Sequence, residues 1–171
     1  MRILYLVFIL IAKFAVGQQS HFSVGVNKGK KLSFLVEKPT SLEYSSPGRL
    51  LFVKQQASNR IDKPNEKVQH VEGIKIVNAA AVPEIVKEVL GQRLNHLSNR
   101  KVIIVKMYPN FKGQIEYVDY VLDIHTDLTK DDLEIITERI QQEVHVYIPS
   151  ETDRRYRISP IVYNITPLIY K

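Results

Sequence analysis

Asp123, His125 and Asp127 stand at alternate positions. At the end of a β-strand that spacing turns all three side chains one way, and two carboxylates with an imidazole can hold a divalent metal or form an acid/base pair. A small secreted metal-dependent hydrolase is the activity such a centre would support. It would need a second His/Asp cluster at a supporting spacing, and the sequence offers none. The same residues also read as a polar strand end leading into a helix cap. His21, His70, His96 and His145 are isolated and read as exposed or hydrogen-bonded side chains. No G-x-S-x-G, S-x-x-K or H-E-x-x-H pattern occurs, and Gly29-Lys30-Lys31 lacks the preceding glycine loop of a phosphate cradle, so it reads as a turn. The absence of Cys excludes a disulfide scaffold, a thiol nucleophile and a cysteine-ligated zinc or iron–sulfur site. No cofactor is expected, and the balance lies on the non-enzymatic side.

The densest basic stretch is Asp153-Arg154-Arg155-Tyr156-Arg157. Arginine forks bind carboxylate or phosphate and tyrosine adds rigid contact area, so Arg154, Arg155, Tyr156 and Arg157 are the candidate binding residues. In a strand, Arg155 and Arg157 share one face and Arg154 and Tyr156 the other. The competing reading is a solvated edge strand whose charges guard it against aggregation. Asn164-Ile165-Thr166 matches the N-glycosylation acceptor pattern, which has meaning only in a glycosylating secretory route.

The elements that must position these residues start from the N-terminus. Met1-Arg2, the apolar run Ile3–Ala12, and small residues at Ala15 and Gly17 before Gln18-Gln19 form a signal-peptide pattern with cleavage expected after Gly17. Lys13 comes too early for a spanning helix, which needs about 20 apolar residues. Export, periplasmic or secreted, is the expected localisation, with no integral membrane span after cleavage. The 171 residues carry 24 Lys+Arg against 18 Asp+Glu, a mild positive excess that serves solubility, and export argues against a nucleic-acid partner. With 44% hydrophobic and 25% charged residues, the composition is that of a globular chain rather than a disordered one.

Residues 18–77 read as a β-rich extension, with strands expected at His21–Val26, Leu32–Glu37, Arg49–Lys54 and Gly73–Val77. Asn27-Lys28-Gly29 and Ser45-Ser46-Pro47-Gly48 are turn signals, and the polar stretch 55–70 around Pro64 reads as a surface loop or linker. Residues 78–171 form a second part. A helix opens at Ala79–Glu84 with Pro83 in its first turn, and Ile85, Val86, Val89, Leu90, Leu94 and Leu97 make its apolar stripe. KVIIVKMY, the turn Pro109–Gly113 and QIEYVDYVLDI form a hairpin. Thr129 caps a second helix buried through Leu133, Ile136, Ile140 and Val144. The tail after Asp153 holds one or two strands, kept to an edge or to strand ends by Pro160 and Pro167.

The order helix, strand, tight turn, strand, helix, strand across residues 82–166 resembles the C-terminal domain of the TonB energy-transducer family, in the degenerate form found in small exported proteins of envelope-dwelling bacteria. VPEIVKEVL, KVIIVKMYPNFKGQIEYVDYVLDI and LTKDDLEIITERIQ carry the resemblance. The long Pro-rich spacer and Tyr-Pro pair of a true transducer are missing; Val82-Pro83 stands where that pair would be. The resemblance implies an α+β module, an antiparallel sheet packed by two helices, whose sheet edge pairs with a partner strand. The expected function is therefore that of an exported, non-enzymatic protein that binds another envelope protein.

Overall fold

The computed structural model describes residues 21–38, 49–57, 68–96, 103–126, 128–153, 155 and 157–166. The signal-like segment 1–17, most of the polar stretch around Pro64, and the residues Leu97, Asp127, Arg154 and Tyr156 lie outside them.

Three strands come first: β1 (Gly25–Lys28), β2 (Ser33–Glu37) and β3 (Leu50–Gln56). The short β4 (Val68–Gln69) and β5 (Lys75–Ile76) precede helix α1 (Ala81–Leu90), which passes into a 3-10 segment, Gly91–His96. The hairpin β6 (Ile103–Pro109) and β7 (Ile115–Asp123) follows, then helix α2 (Lys130–Glu143). The chain closes with β8 (Val146–Tyr147), β9 (Arg157–Ile158) and β10 (Ile161–Asn164). Six strands form one sheet in the order β1-β2-β3-β7-β6-β10, with every neighbouring pair antiparallel. β4 lies parallel on β9, and β5 antiparallel on β8. The α+β class with a mostly antiparallel sheet and two helices is thus what the structure shows.

The N-terminal strands extend the sheet of the C-terminal hairpin. β3 lies on β7 with Leu51 opposite Leu122 and Val53 opposite Tyr120. β7 is therefore a central strand, and from Tyr117 to Asp123 every residue is buried, Asp119 and Asp123 included. Asp119 accepts the Gln55 N–H at 2.9 Å, and the Gln55 side-chain oxygen accepts the Val118 N–H at 2.9 Å. The two side chains replace ladder bonds where β3 and β7 part company, as buried polar groups require. Period-2 alternation sends Phe34, Val36, Leu51, Val53, Val105, Met107, Val118 and Tyr120 to one face, where they meet Val82, Ile85, Val86, Leu133, Ile136 and Ile140 of the helices. The Tyr120 hydroxyl, deep in that core, shares a 2.7 Å hydrogen bond with the Thr137 hydroxyl, and burial pushes its ionisation well above the usual phenol range.

Local details depart from the sequence expectations for physical reasons. β1 runs later than His21–Val26, with Asn27 and Lys28 inside the strand and the turn at Gly29–Leu32, closed by Gly29 N–H on Leu32 C=O at 2.7 Å. Gly91, with φ of 53°, ends α1, so Leu94 of the expected stripe falls in the 3-10 segment.

Thr129 caps α2 as expected. Its hydroxyl accepts the Asp132 N–H, while the Asp132 carboxylate accepts the Thr129 N–H at 2.8 Å, a reciprocal capping box. Arg93 grips the same carboxylate with two N–H bonds of 3.0 and 2.7 Å. Burial alone would raise the Asp132 carboxyl, but the Arg93 and Thr129 hydrogen bonds overcome it and hold the carboxyl below the usual range. A carboxylate depressed in the folded state adds stability that is present above its unfolded pKa and lost as pH falls through the folded one. Asp132→Asn is therefore expected to cost about 1 kcal/mol near neutral pH. The gap from wild type should close as urea unfolding is repeated at decreasing pH below about 4.

Candidate functional site

Two members of the acidic cluster, Asp123 and His125, lie among the described residues. Asp123 is buried, its Oδ1 accepting the His125 N–H at 2.9 Å and its Oδ2 lying 3.7 Å from the Arg49 guanidinium. It thereby anchors the turn out of β7, while the His125 ring is exposed and Asp127 lies outside the described residues. No group of three or more His, Asp or Glu among the described residues is placed to hold a metal.

The basic stretch is divided. Arg155 sits in an exposed turn, where its guanidinium bonds Asp153 at 2.8 to 3.1 Å and holds that carboxyl below the usual range. Arg157 belongs to β9, opposite Val68 of β4, and so is not on the edge of the six-stranded sheet. Arg154 and Tyr156, the other two candidates, lie outside the described residues.

The sheet ends instead at β1 and β10, and the two edges differ. β1 is turned back on itself: Asn27 Nδ2 donates to the carbonyls of Ser23 at 2.6 Å and Gly25 at 3.0 Å. Since Gly29 N–H bonds Leu32 C=O, alternation turns Gly25 and Asn27 towards β2 and leaves Val26 and Lys28 facing outward.

β10 is the edge that borders a cleft. It pairs with β6 so that Ile161 faces Met107 and Tyr163 faces Val105. The same register brings Ile165 N–H to Ile103 C=O at 3.1 Å, and Asn110 N–H bonds Gln114 C=O on the β7 side of β6. In an antiparallel ladder the bonding side alternates residue by residue. Odd-numbered residues of β6 therefore bond towards β10, so Ile161 and Tyr163 are the hydrogen-bonded members of β10. Val162 and Asn164 point their N–H and C=O groups out of the sheet, and no strand among the described residues lies beyond them. The side chains follow the pleat. Ile161 and Tyr163 pack against the core, whereas Val162 is 58% exposed.

A cleft of about 910 Å³ opens along this edge, with Ser159–Val162 on one side and His70–Ile76 with Ala79 on the other. Its origin is local. β4 follows the chain as far as Ser159, whose N–H bonds Gln69 C=O at 2.9 Å. Pro160 interrupts the ladder there, and Gly73, with φ of 80°, turns the departing strand away towards β5. The edge position of this segment was readable from Pro160. The main-chain polarity of Val162 was not, because it depends on the register with β6.

Comparison with known proteins bears on the fold alone. No protein-family model matches the sequence and no curated protein matches it. Among solved structures, the chain is similar to a DUF5043 family protein from Bacteroides uniformis, with a TM-score of 0.57 at 7% identity over 86% of each chain. The architecture of this chain is therefore shared with a structure of almost unrelated sequence.

Proposed function

We propose that this is an exported, non-enzymatic protein that binds another envelope protein by taking an extended segment of it as an added strand on β10. The observation that supports the reading is the outward-facing N–H and C=O of Val162, which lines the cleft, and of Asn164 further along the same edge. Strand addition supplies its affinity through such main-chain groups and its choice of partner through alternate side chains. Four main-chain bonds at about 1 kcal/mol each give only millimolar binding, so apolar burial in the cleft must add the rest. The sequence resemblance to TonB C-terminal domains would fit this use of a sheet edge, and the N-terminal signal pattern fits an envelope setting. Arg155 and Arg157, near the start of the edge, are then rim residues that tune association rather than its centre.

The test is a random-peptide display selection on the full chain, run in parallel on Val162→Pro, which removes one outward N–H at a position where an edge strand tolerates proline. Peptides captured by wild type and lost on a Val162→Pro protein of unchanged circular dichroism are the expected result. Equal capture by both proteins, or no enrichment, contradicts the reading.

A further inference from the structure

The pleat and the two walls of the cleft restrict what can occupy it, beyond the bare statement that a strand is added. An added strand keeps the alternation of the sheet it joins. Its residues opposite Ile161 and Tyr163 must then direct their side chains to the helix-bearing face. Ile74, Ile76 and Ile161, half-buried against the core margin, line the cleft, and Ala79 is small enough to leave room. The residue between them, opposite Val162, falls on the other face, where Val162 itself is exposed.

The opposite wall decides between a single chain and a folded sheet. His70–Ile74 leads from the β4–β9 ladder to the β5–β8 ladder, so it is held at both ends beside the open edge. A partner sheet would have to displace it, whereas one extended chain needs only the spacing of about 4.8 Å between neighbouring strands. β4 runs beside Arg157–Ile158 in a two-stranded ladder of its own and parts from the chain before Pro160. The cleft also presents His70, Glu72 and Lys75, charges of both signs, so net charge does not make the selection.

We infer that the cleft takes a single extended segment of the pattern apolar-x-apolar, its apolar side chains opposite Ile161 and Tyr163, and not the sheet edge of a folded partner or a second copy of this chain. The recognised core is short, since four residues of β10 span only about 13 Å. This inference rests on the strand-addition reading above.

The experiment uses fluorescence anisotropy of labelled, end-blocked heptapeptides with the full chain. One peptide alternates threonine and valine before a terminal lysine, a second has the same residues with the valines made consecutive, and two further peptides carry N-methyl groups on one or the other alternate set. The alternating peptide should bind about tenfold or more tightly than its rearranged isomer. One N-methyl set should abolish binding and the other should weaken it less, since only one set bonds to β10. Val162→Pro should abolish binding of the alternating peptide. Equal binding of the two isomers, both lost with the first N-methyl set, overturns the pattern while leaving strand addition intact. Self-association in sedimentation that Val162→Pro removes assigns the edge to a second copy and likewise overturns it. Binding indifferent to both N-methyl sets, or none by any peptide, overturns the inference; the first of these also removes the reading beneath it.

Discussion

Glu134→Ala should lower the stability of the protein by about 3 kcal/mol in urea unfolding. Glu134 lies on α2, only 5% exposed, and its carboxylate accepts three consecutive main-chain N–H groups, those of Lys30, Lys31 and Leu32 in the β1–β2 turn. Those donors lie more than 100 residues away in the chain, so one side chain docks the N-terminal hairpin on the second helix. Truncation leaves three partly buried donors without an acceptor, each costing about 1 kcal/mol or more, and offers nothing in return. Glu134→Gln retains one carbonyl oxygen and should lose roughly half as much. The neighbouring pairs Lys31–Glu138 and Lys30–Asp131 are exposed, so Glu138→Ala should change stability by less than about 1 kcal/mol. Gly29→Ala supplies an independent check, because a β-carbon there would meet both the Glu134 carboxylate and the Leu32 carbonyl oxygen. If Glu134→Ala and Glu138→Ala proved equal in effect, the clasp would be ornamental.

Gly113→Ala should be as damaging or worse, about 3 kcal/mol by thermal or urea unfolding. The hairpin turn depends on this residue in three ways. Its φ is 77°, a left-handed value that costs an L-residue about 1–2 kcal/mol. Its N–H donates to Asn110 C=O at 3.0 Å while its C=O accepts the Val146 N–H at 2.9 Å, tying the turn to the strand that follows α2. A β-carbon would run into the Val146 main-chain oxygen, which cannot yield without moving β8. Gly73→Ala separates the terms. Gly73 has φ of 80° with only an ordinary contact to Pro149 at 3.5 Å, so it should cost about 1–2 kcal/mol, the backbone share alone. Equal losses at Gly73 and Gly113 would show that the approach to Val146 is relieved cheaply.

The features legible in the sequence are those whose causes are local. Thr129 followed by two acids announces the start of α2, and Leu133, Ile136, Ile140 and Val144 are all fully buried. The four β-branched residues before Lys106 and the Asn110/Gly113 turn announce the hairpin. Pro160 announces an edge. What escaped sequence reasoning is fixed by contacts between distant segments. Nothing around Leu50–Gln56 says that it will lie on β7, so the burial of Asp119 and Asp123 in a central strand leaves no signal in the hairpin's own sequence. Glu134 looks like any surface glutamate of a helix, because its partners are main-chain groups with no side-chain signature. Asp123 draws notice by its spacing with His125 and Asp127, whereas its contacts with an N–H two residues ahead and with Arg49 have no signal in that spacing. The candidate site shows the same division. Arginines drew attention by charge, whereas the donors and acceptors of β10 are main-chain atoms, and only the register with β6 reveals which of them face outward.

Residue-resolved amide hydrogen exchange of the full chain is the most direct test of that edge. In the free protein the Ile161 and Tyr163 amides should be protected by β6 while those of Val162 and Asn164 exchange freely. Addition of the alternating heptapeptide should slow Val162 and Asn164 and leave Ile161 and Tyr163 nearly unchanged. Four equally protected amides in the free protein, or no slowing at Val162 with peptide bound, would contradict it.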